Sequence, residues 1–523
     1  MTSLPQASSK KQNSWIQRAL AWADAKKADL VLGAIFLLVT VLYARFMFND
    51  RVSTIGLIAL AALWLAHWAL AGWRVTPLDA PILGLLILLP VTLAITVDLS
   101  LTTPKVHGIL LGLSLYYIVT NALRTRKIQH LAVFGLVVLA LGVSVLGLVG
   151  TQWTNEKILD LSAVYQTLPQ WIDSIPRYVD QGGIHRNLIG GALTFFLPFL
   201  ASLLWDVWRV DFSAIYQDDG RARLAKIGMI TLLILSVLLA AFVLILTQSR
   251  GGYLGAFVGL LTLAVIKDRR YLWALPLLAI ILLTVVQRTA QGDLDTFLTL
   301  IDTTRGGTLP GRIEIWRRAT LLVQDFPFTG TGIGTFNPLT NALYPYFRFG
   351  DPQVPHAHNM ILTMAVDLGI PGLILYTTLL GGFFVMIWKT AKGAGRWTRA
   401  TLIGLGTGLL AHQVFGIMDA YMLGTKLGAI LWIYFGVAAA AFRFDNNMEA
   451  TGLPAPNRDI QAYLPWLGDL GKSLLAWLLI AMLAIAALYM DVILGLALAV
   501  IGGIALGIGL VTNLKGEDPI VSD

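Results

Sequence analysis

The sequence has no cysteine. That absence excludes disulfides, thiolate metal sites and a cysteine nucleophile, and it leaves the redox compartment open. Charge is scarce as well. Only 13% of the 523 residues are Asp, Glu, Lys or Arg, against 56% hydrophobic, and mean hydropathy is +0.72. No soluble domain needs so much apolar sequence, so the chain reads as a polytopic membrane protein. There is no low-complexity tract, no convincing internal repeat and no Gly-x-x-x-x-Gly-Lys-Ser/Thr phosphate loop, which excludes a nucleotide site of that kind. The net charge of +8 does not imply nucleic acid, because the positive residues lie between apolar spans. Met1–Asp29 is polar and precedes a full-length span, so no cleavable leader is expected.

What the chain does have is a series of apolar runs long enough to cross a bilayer. Fourteen are legible, the eighth near 253–266, the ninth near 271–286, the tenth near 358–388 and the eleventh near 400–418. The 16 Trp and 50 Gly agree, since Trp gathers at interfaces and Gly is common in packed membrane helices. The expected fold is all-α, a polytopic transmembrane helical bundle of about 12 core spans plus a C-terminal hairpin. With the N-terminus inside, 24 of the 38 Lys and Arg fall on inner segments, as the positive-inside rule requires. This divides the chain into an N-terminal cytoplasmic segment (1–29), a membrane domain (30–442), a cytoplasmic linker (443–472) and a C-terminal hairpin with tail (473–523). Both termini are expected in the cytoplasm. The hairpin ends in Gly502-Gly503-Ile-Ala-Leu-Gly507-Ile-Gly509 and reads as an appendage whose small residues suit close packing.

The two longest connections, 151–187 and 287–357, are then external, and the second is too long to be mere connection. The first includes Ile158–Val179, where Trp171, Ile175 and Tyr178 are spaced for one face of a helix lying on the membrane. The outer face also collects unusual polar groups. His356, His358 and Asn359 stand where the long loop runs into the tenth span, and Gly369, Pro371 and Gly372 should bend that span. Arg250 sits in Ser249-Arg-Gly-Gly252 at the mouth between the seventh and eighth spans. Arg312 opens an amphipathic helix running to about Gln324, with Arg317 and Arg318 reading as solvated. Arg186 and Asn187 precede the sixth span. Each arginine alone could simply meet lipid phosphates. Together, Arg250, Arg312 and His358 make a phosphate-plus-base constellation, since guanidinium binds phosphate oxygens bidentately and imidazole can accept a hydroxyl proton. A rival is Asp293-Leu-Asp295, an Asp-x-Asp that could hold a divalent ion.

The pattern His358-Asn359, nine residues, then Gly369-Ile-Pro-Gly372 resembles the signature of the O-antigen ligase/polymerase superfamily of membrane glycosyltransferases. Three further pieces look similar in the same order: Gly183–Pro198 with Asn187, the Ser249-Arg250-Gly251 edge, and Gly311-Arg-Ile-Glu-Ile-Trp316 continuing to Asp325-Phe-Pro-Phe-Thr-Gly-Thr-Gly332. The resemblance covers residues 30–442 and implies a GT-C type bundle with a large periplasmic loop in the bacterial inner membrane. It implies transfer of a glycan from undecaprenyl pyrophosphate to lipid A–core or another glycan or lipid acceptor, with inversion and without metal or other cofactor. By that resemblance His358 matches the essential histidine, and Arg250 and Arg312 match the pyrophosphate-binding arginines. Arg186, Asn187, His356 and Asn359 are then expected substrate contacts. The C-terminal hairpin departs from the family's usual span count and leaves the acceptor open. Two other activities stay in view: a polymerase of the same superfamily, and a transporter of a small anion such as bicarbonate. Transport would place ionisable groups near the bilayer midplane, whereas these residues crowd the outer edge.

The orientation has a direct test, because a chain without cysteine accepts single-cysteine labelling. A membrane-impermeant thiol reagent added outside should label Cys at Thr308 and spare Cys at Gly393; the reverse pattern would invert the whole topology.

Overall fold

The computed structural model describes residues 9–49, 52–153, 160–168, 183–213, 219–276, 309–345, 353–420, 423–446 and 459–513, with scattered positions in 280–287 and 448–456. Trp171, Ile175, Tyr178, Asp293 and Asp295 lie outside the described residues, as do seven of the sixteen positions of the ninth apolar run, 271–286. In chain order the helices are α1 (Ser9–Asn49), α2 (Thr54–Ala71), α3 (Asp79–Ile95), α4 (Leu99–Ala122), α5 (Arg126–Gly150) and α6 (Ser162–Thr167). Then come α7 (Arg186–Val207), α8 (Asp219–Thr247), α9 (Arg250–Lys267), α10 (Leu309–Asp325) and α11 (Phe336–Leu343). The last five are α12 (Met360–Gly393), α13 (Arg396–Phe415), α14 (Ala429–Asp445), α15 (Tyr463–Met490) and α16 (Val492–Asn513). Among the described residues strand-type pairing is limited to two isolated bridges, Trp73 with Leu453 and Thr151 with Gly183.

The protein is an all-α, polytopic helical membrane protein. Ten of the described helices are long and apolar enough to cross a membrane, and Asp79–Ile95 is a shorter apolar helix. Of the three runs left, 271–286 is only partly within the described residues, and the other two fall short for a physical reason. Helix α4 carries Lys105 and His107, and α13 carries Arg396, Arg399, His412 and Gln413. Their hydropathy is diluted because both pack inside the bundle rather than face lipid. Helix starts follow the usual chemistry: Ser53, Asp98, Thr125 and Ser249 each accept a backbone N–H of the first turn of α2, α4, α5 and α9.

Helix α12 is the hub, packing against α3, α10, α13, α14, α15 and α16. It is broken. Gly369 has φ 70 and ψ −176, so Met360–Leu368 and Ile370–Gly393 are two helices end to end. The segment between α10 and α11 fills the break. Ile370 N–H donates to Pro327 O at 2.9 Å, Thr331 N–H donates to Val366 O at 2.8 Å, and Gly334 N–H reaches Asp367 Oδ1 at 3.3 Å. Backbone groups freed by a break inside a membrane helix need such partners, because hydrocarbon offers none. Gly330, also left-handed at φ 68, fits directly against Gly369; a Cβ on Gly369 would lie 2.8 Å from both Gly330 N and Pro327 O. The Thr-Gly-Thr-Gly and Gly-Ile-Pro-Gly motifs are thus two halves of one joint.

Two segments differ from expectation. The C-terminal hairpin is no appendage: α16 lies along α12, where a Cβ on Gly507 would overlap Thr378 O, and Trp477 Nε1 of α15 donates to Pro371 O at 3.0 Å. The segment 443–472, expected as a linker, begins with the fully buried Arg443. Its guanidinium donates to Val75 O and, at 2.9 Å, to Met448 O, while Leu453 exchanges backbone hydrogen bonds with Trp73. Nearby, Asp79 is buried but accepts from Thr76, Trp73 and Tyr117, which offsets its desolvation.

The joint predicts a sharp contrast between two glycines of one helix. Gly369→Ala should destabilise the protein by about 2–4 kcal/mol, combining left-handed strain with overpacking. Gly393→Ala, with open space around it, should be neutral. Thermal unfolding in detergent measures both; equal midpoints would mean the joint is not constrained.

Candidate active site

Four helix termini converge at one end of the bundle: the starts of α7, α9 and α12 and the end of α13. Met360 N–H donates to Gly416 O at 2.7 Å, joining α12 to the turn after α13. Gly190 of α7 packs on Ser249, and Gly251 of α9 packs on Phe415 and Met418. Deeper in the bundle, His412 of α13 donates from Nδ1 to Gly191 O at 3.0 Å and stacks on Phe195 at 4.0 Å, locking α13 to α7.

At the centre of this junction lies a residue the sequence reading passed over. Asp419 follows the turn that ends α13, and its side chain is only 9% exposed. Its Oδ1 accepts from His358 Nδ1 at 3.1 Å and from its neighbour Ala420 N at 2.9 Å; its Oδ2 accepts from Asn187 Nδ2 at 2.9 Å. His356 Nε2 lies 3.7 Å from the same Oδ1. Burial alone would raise the Asp419 carboxyl, but the hydrogen bond from His358, the two imidazoles and the Ala420 amide hold it well below the usual carboxylate range. His356 moves the other way. Burial lowers it to about 4, against the pull of Asp419 and helped by His358, Lys105 and His185, so this ring is neutral at pH 7. The hydrogen bonds to Asp419 from His358 and Ala420 do not depend on a charge at His356, and these are what keep the carboxylate ionised.

With an anionic carboxylate against it, His358 Nδ1 carries the proton, and Nε2 is left with the lone pair. His358 holds this pose in a left-handed backbone, φ 47, which a non-glycine residue adopts only when its surroundings require it. The surroundings are specific. His356 Nδ1 accepts His358 N–H at 3.2 Å, the two rings lie 4.4 Å apart, and Asn359 caps α12 by accepting Leu362 N–H at 3.1 Å. Asn359 Nδ2 also donates to Ile417 O at 3.2 Å. The side chain of His358 is 27% exposed, open enough to meet a substrate.

The other expected residues divide. Asn187 is brought directly onto Asp419. Arg250 begins α9 beside Gly251 and so stands next to the turn carrying Asp419, and Arg186 begins α7 next to Asn187. Arg312 lies in the first turn of α10, which packs on α12, and is part-buried. Arg318, expected to be solvated, is buried. Its guanidinium donates to Tyr344 O at 2.8 Å and Pro345 O at 2.7 Å and pairs with Glu314 at 2.9 Å, so it ties α10 to the end of α11. A signal for Asp419 was present. It is an acid just beyond the end of the eleventh run, at the same end of the bundle as His358.

Residues 235–377 match the family described as O-antigen ligase. This match supports membership of the O-antigen ligase/polymerase superfamily. The matched stretch runs from α8 through the first part of α12, and holds Arg250, Arg312, His356, His358, Asn359 and both glycines of the joint. Asn187 and Asp419 lie outside it. No curated protein matches the chain. Together with the ten apolar helices, the match points to a multi-pass membrane protein that is similar to O-antigen ligases over this stretch.

His356, His358 and Asp419 offer three ligand atoms within 4.8 Å of one another, a set that could also hold a divalent ion. In the arrangement seen, the carboxylate is satisfied by His358, Asn187 and a backbone amide instead. An acid that orients an imidazole contributes through the ring it holds. Asp419→Asn should therefore lower turnover by about 10²–10⁴-fold while substrate binding changes little. Steady-state kinetics on the purified variant, with unfolding midpoint as a control, checks this; unchanged turnover would leave Asp419 a purely structural acid.

Proposed function

We propose that this protein is an O-antigen ligase-like glycosyltransferase that moves a glycan from undecaprenyl pyrophosphate to an acceptor hydroxyl at the outer face of the inner membrane. The observation that carries the reading is the His358–Asp419 pair, which leaves Nε2 of a part-exposed imidazole free to accept a proton beside the start of α9. The acceptor hydroxyl gives its proton to His358 Nε2 as its oxygen bonds to the anomeric carbon. The bond from that carbon to the pyrophosphate oxygen breaks, and its electron pair leaves with the pyrophosphate on the opposite face, so configuration inverts. Arg250 and Arg312 bind the pyrophosphate as its negative charge grows, an interaction stronger in the transition state than in the ground state. Arg186, Asn187, His356 and Asn359 line the approach, with Asn187 and Asn359 acting through the positions of Asp419 and α12. The base itself is worth on the order of 10²–10⁴-fold.

A polymerase of the same superfamily would use the same proton transfer, with the hydroxyl supplied by a second glycan. Small-anion transport has less support. His412, in the last turn of α13, is committed to Gly191 O and to stacking on Phe195.

The test is purified enzyme given a lipid-pyrophosphate-linked glycan and a lipid acceptor. His358→Ala should abolish transfer and retain donor binding, and His356→Ala should cost far less. Arg250→Lys and Arg312→Lys keep a charge but lose the bidentate fork, and turnover should drop strongly. Activity should persist in EDTA. Full turnover by His358→Ala would remove the base, and loss on chelation restored by Mg²⁺ or Mn²⁺ would put a metal in place of the arginines.

A further inference from the structure

The helices that build the candidate active site, α7, α9, α12 and α13, also enclose a cavity of about 880 Å³ at their opposite ends. Helix α7 alone, at 22 residues, separates the two by roughly 33 Å, about one bilayer thickness. Trp205 and Trp388 stand at the rim, 39% and 61% exposed, as aromatic side chains do at a membrane surface. The wall is apolar, with Phe384 and Ile387 of α12 facing Ile403 and Leu410 of α13.

The mouth is strongly basic. Five cations line it, Arg209, Lys267, Lys392, Arg396 and Arg399, against a single acid, Asp206. Two of the five are already engaged: Lys267 pairs with Asp206, and Lys392 lies 3.4 Å over the Trp388 ring. Among the described residues, Arg209, Arg396 and Arg399 have no carboxylate partner. Three guanidiniums converging on an apolar slot ask for a ligand that is anionic at one end and hydrocarbon at the other. Guanidinium matches phosphate oxygens bidentately, and basic pockets between membrane helices hold acidic lipid head groups. A soluble anion would leave the apolar wall unused. A zwitterionic lipid would bring an ammonium group among uncompensated cations.

We propose that this cavity is a binding site for an anionic phospholipid of the leaflet opposite the active site, with its phosphate on Arg209, Arg396 and Arg399 and an acyl chain along the apolar wall. The lipid bridges the loop after α7 to the start of α13 and so clamps the far ends of the helices that carry Asn187 and Asp419. The site stands independently of the catalytic reading.

The experiment uses full-length protein purified free of lipid in a neutral detergent, with phosphatidylglycerol as probe and native mass spectrometry and thermal unfolding as readouts. Phosphatidylglycerol should bind and raise the unfolding midpoint, and Arg209→Gln/Arg396→Gln/Arg399→Gln should weaken binding by about tenfold or more. Phosphatidylcholine and water-soluble glycerol phosphate should give neither effect. Equal binding by the triple variant, an equal response to phosphatidylcholine, or a full response to glycerol phosphate would each overturn the proposal. If the triple variant does not fold, the three single Arg→Gln variants are measured in the same way, and three unchanged affinities would overturn it as well.

Discussion

The break in α12 at Gly369 is the constraint on which the rest of the structure depends. A continuous helix there would carry Met360 and the His358–Asn359 turn in a different direction from the one the bundle needs. A break inside a membrane helix strands backbone groups; Pro327 O and Thr331 N–H satisfy two of them, and Gly334 N–H of the same segment donates to the Asp367 side chain. That segment fits only because Gly330 and Gly369 both lack side chains where their backbones touch. Fixing the segment fixes α10 and α11 at its two ends, hence Arg312 on one side and the Asn337 side chain on the other. Asn337 in turn accepts Val354 N–H at 2.9 Å, two residues before His356. The joint therefore positions the histidine turn from both directions along the chain. The C-terminal hairpin adds a third support, since Trp477 binds the carbonyl of Pro371 just below the break.

Much of this was legible in the sequence, for reasons that separate cleanly. Apolar runs report burial in lipid, so some spans were placed closely: the run near 253–266 lies within α9 (Arg250–Lys267), and the run near 400–418 falls on α13 (Arg396–Phe415). The kink was legible because Gly369 and Pro371 are residues that break helices for known reasons. What was not legible depends on contacts between segments distant in the chain. Asp419 lies 61 residues from His358 and 232 from Asn187, and nothing local marks an acid after a helix as the partner of either. Arg318 looked solvated because its partners are backbone carbonyls 26 and 27 residues on. Asp367 was overlooked inside an apolar run because it serves the joint rather than a periodic face. The hairpin looked peripheral because an all-apolar pair of helices is the same string of letters whether it faces lipid or another helix.

A carboxylate buried as deeply as Asp419 is expensive unless its oxygens are hydrogen-bonded, and here both are. The source of each donor matters as much as the count. Asn187 comes from the start of α7, His358 from the turn before α12, and the Ala420 amide from the turn after α13. One anion thus holds three elements together, and the removal of any one donor leaves a buried charge short of a partner, at a cost of about 1–3 kcal/mol. The same arrangement selects the tautomer of His358, because only an Nδ1–H ring satisfies Asp419 Oδ1. Stability and chemistry therefore rest on the same hydrogen bond: the proton that keeps the anion buried is the one that leaves Nε2 bare. His356 completes the logic from the other side. It sits 3.7 Å from the same oxygen yet is held neutral by burial, and its Nδ1 is occupied by the amide of His358. Of the two imidazoles, only His358 has a direct hydrogen bond to the anion, an uncommitted Nε2 and a quarter of its side chain open to a substrate. The left-handed backbone at His358 is the strain accepted to bring that ring to the carboxylate.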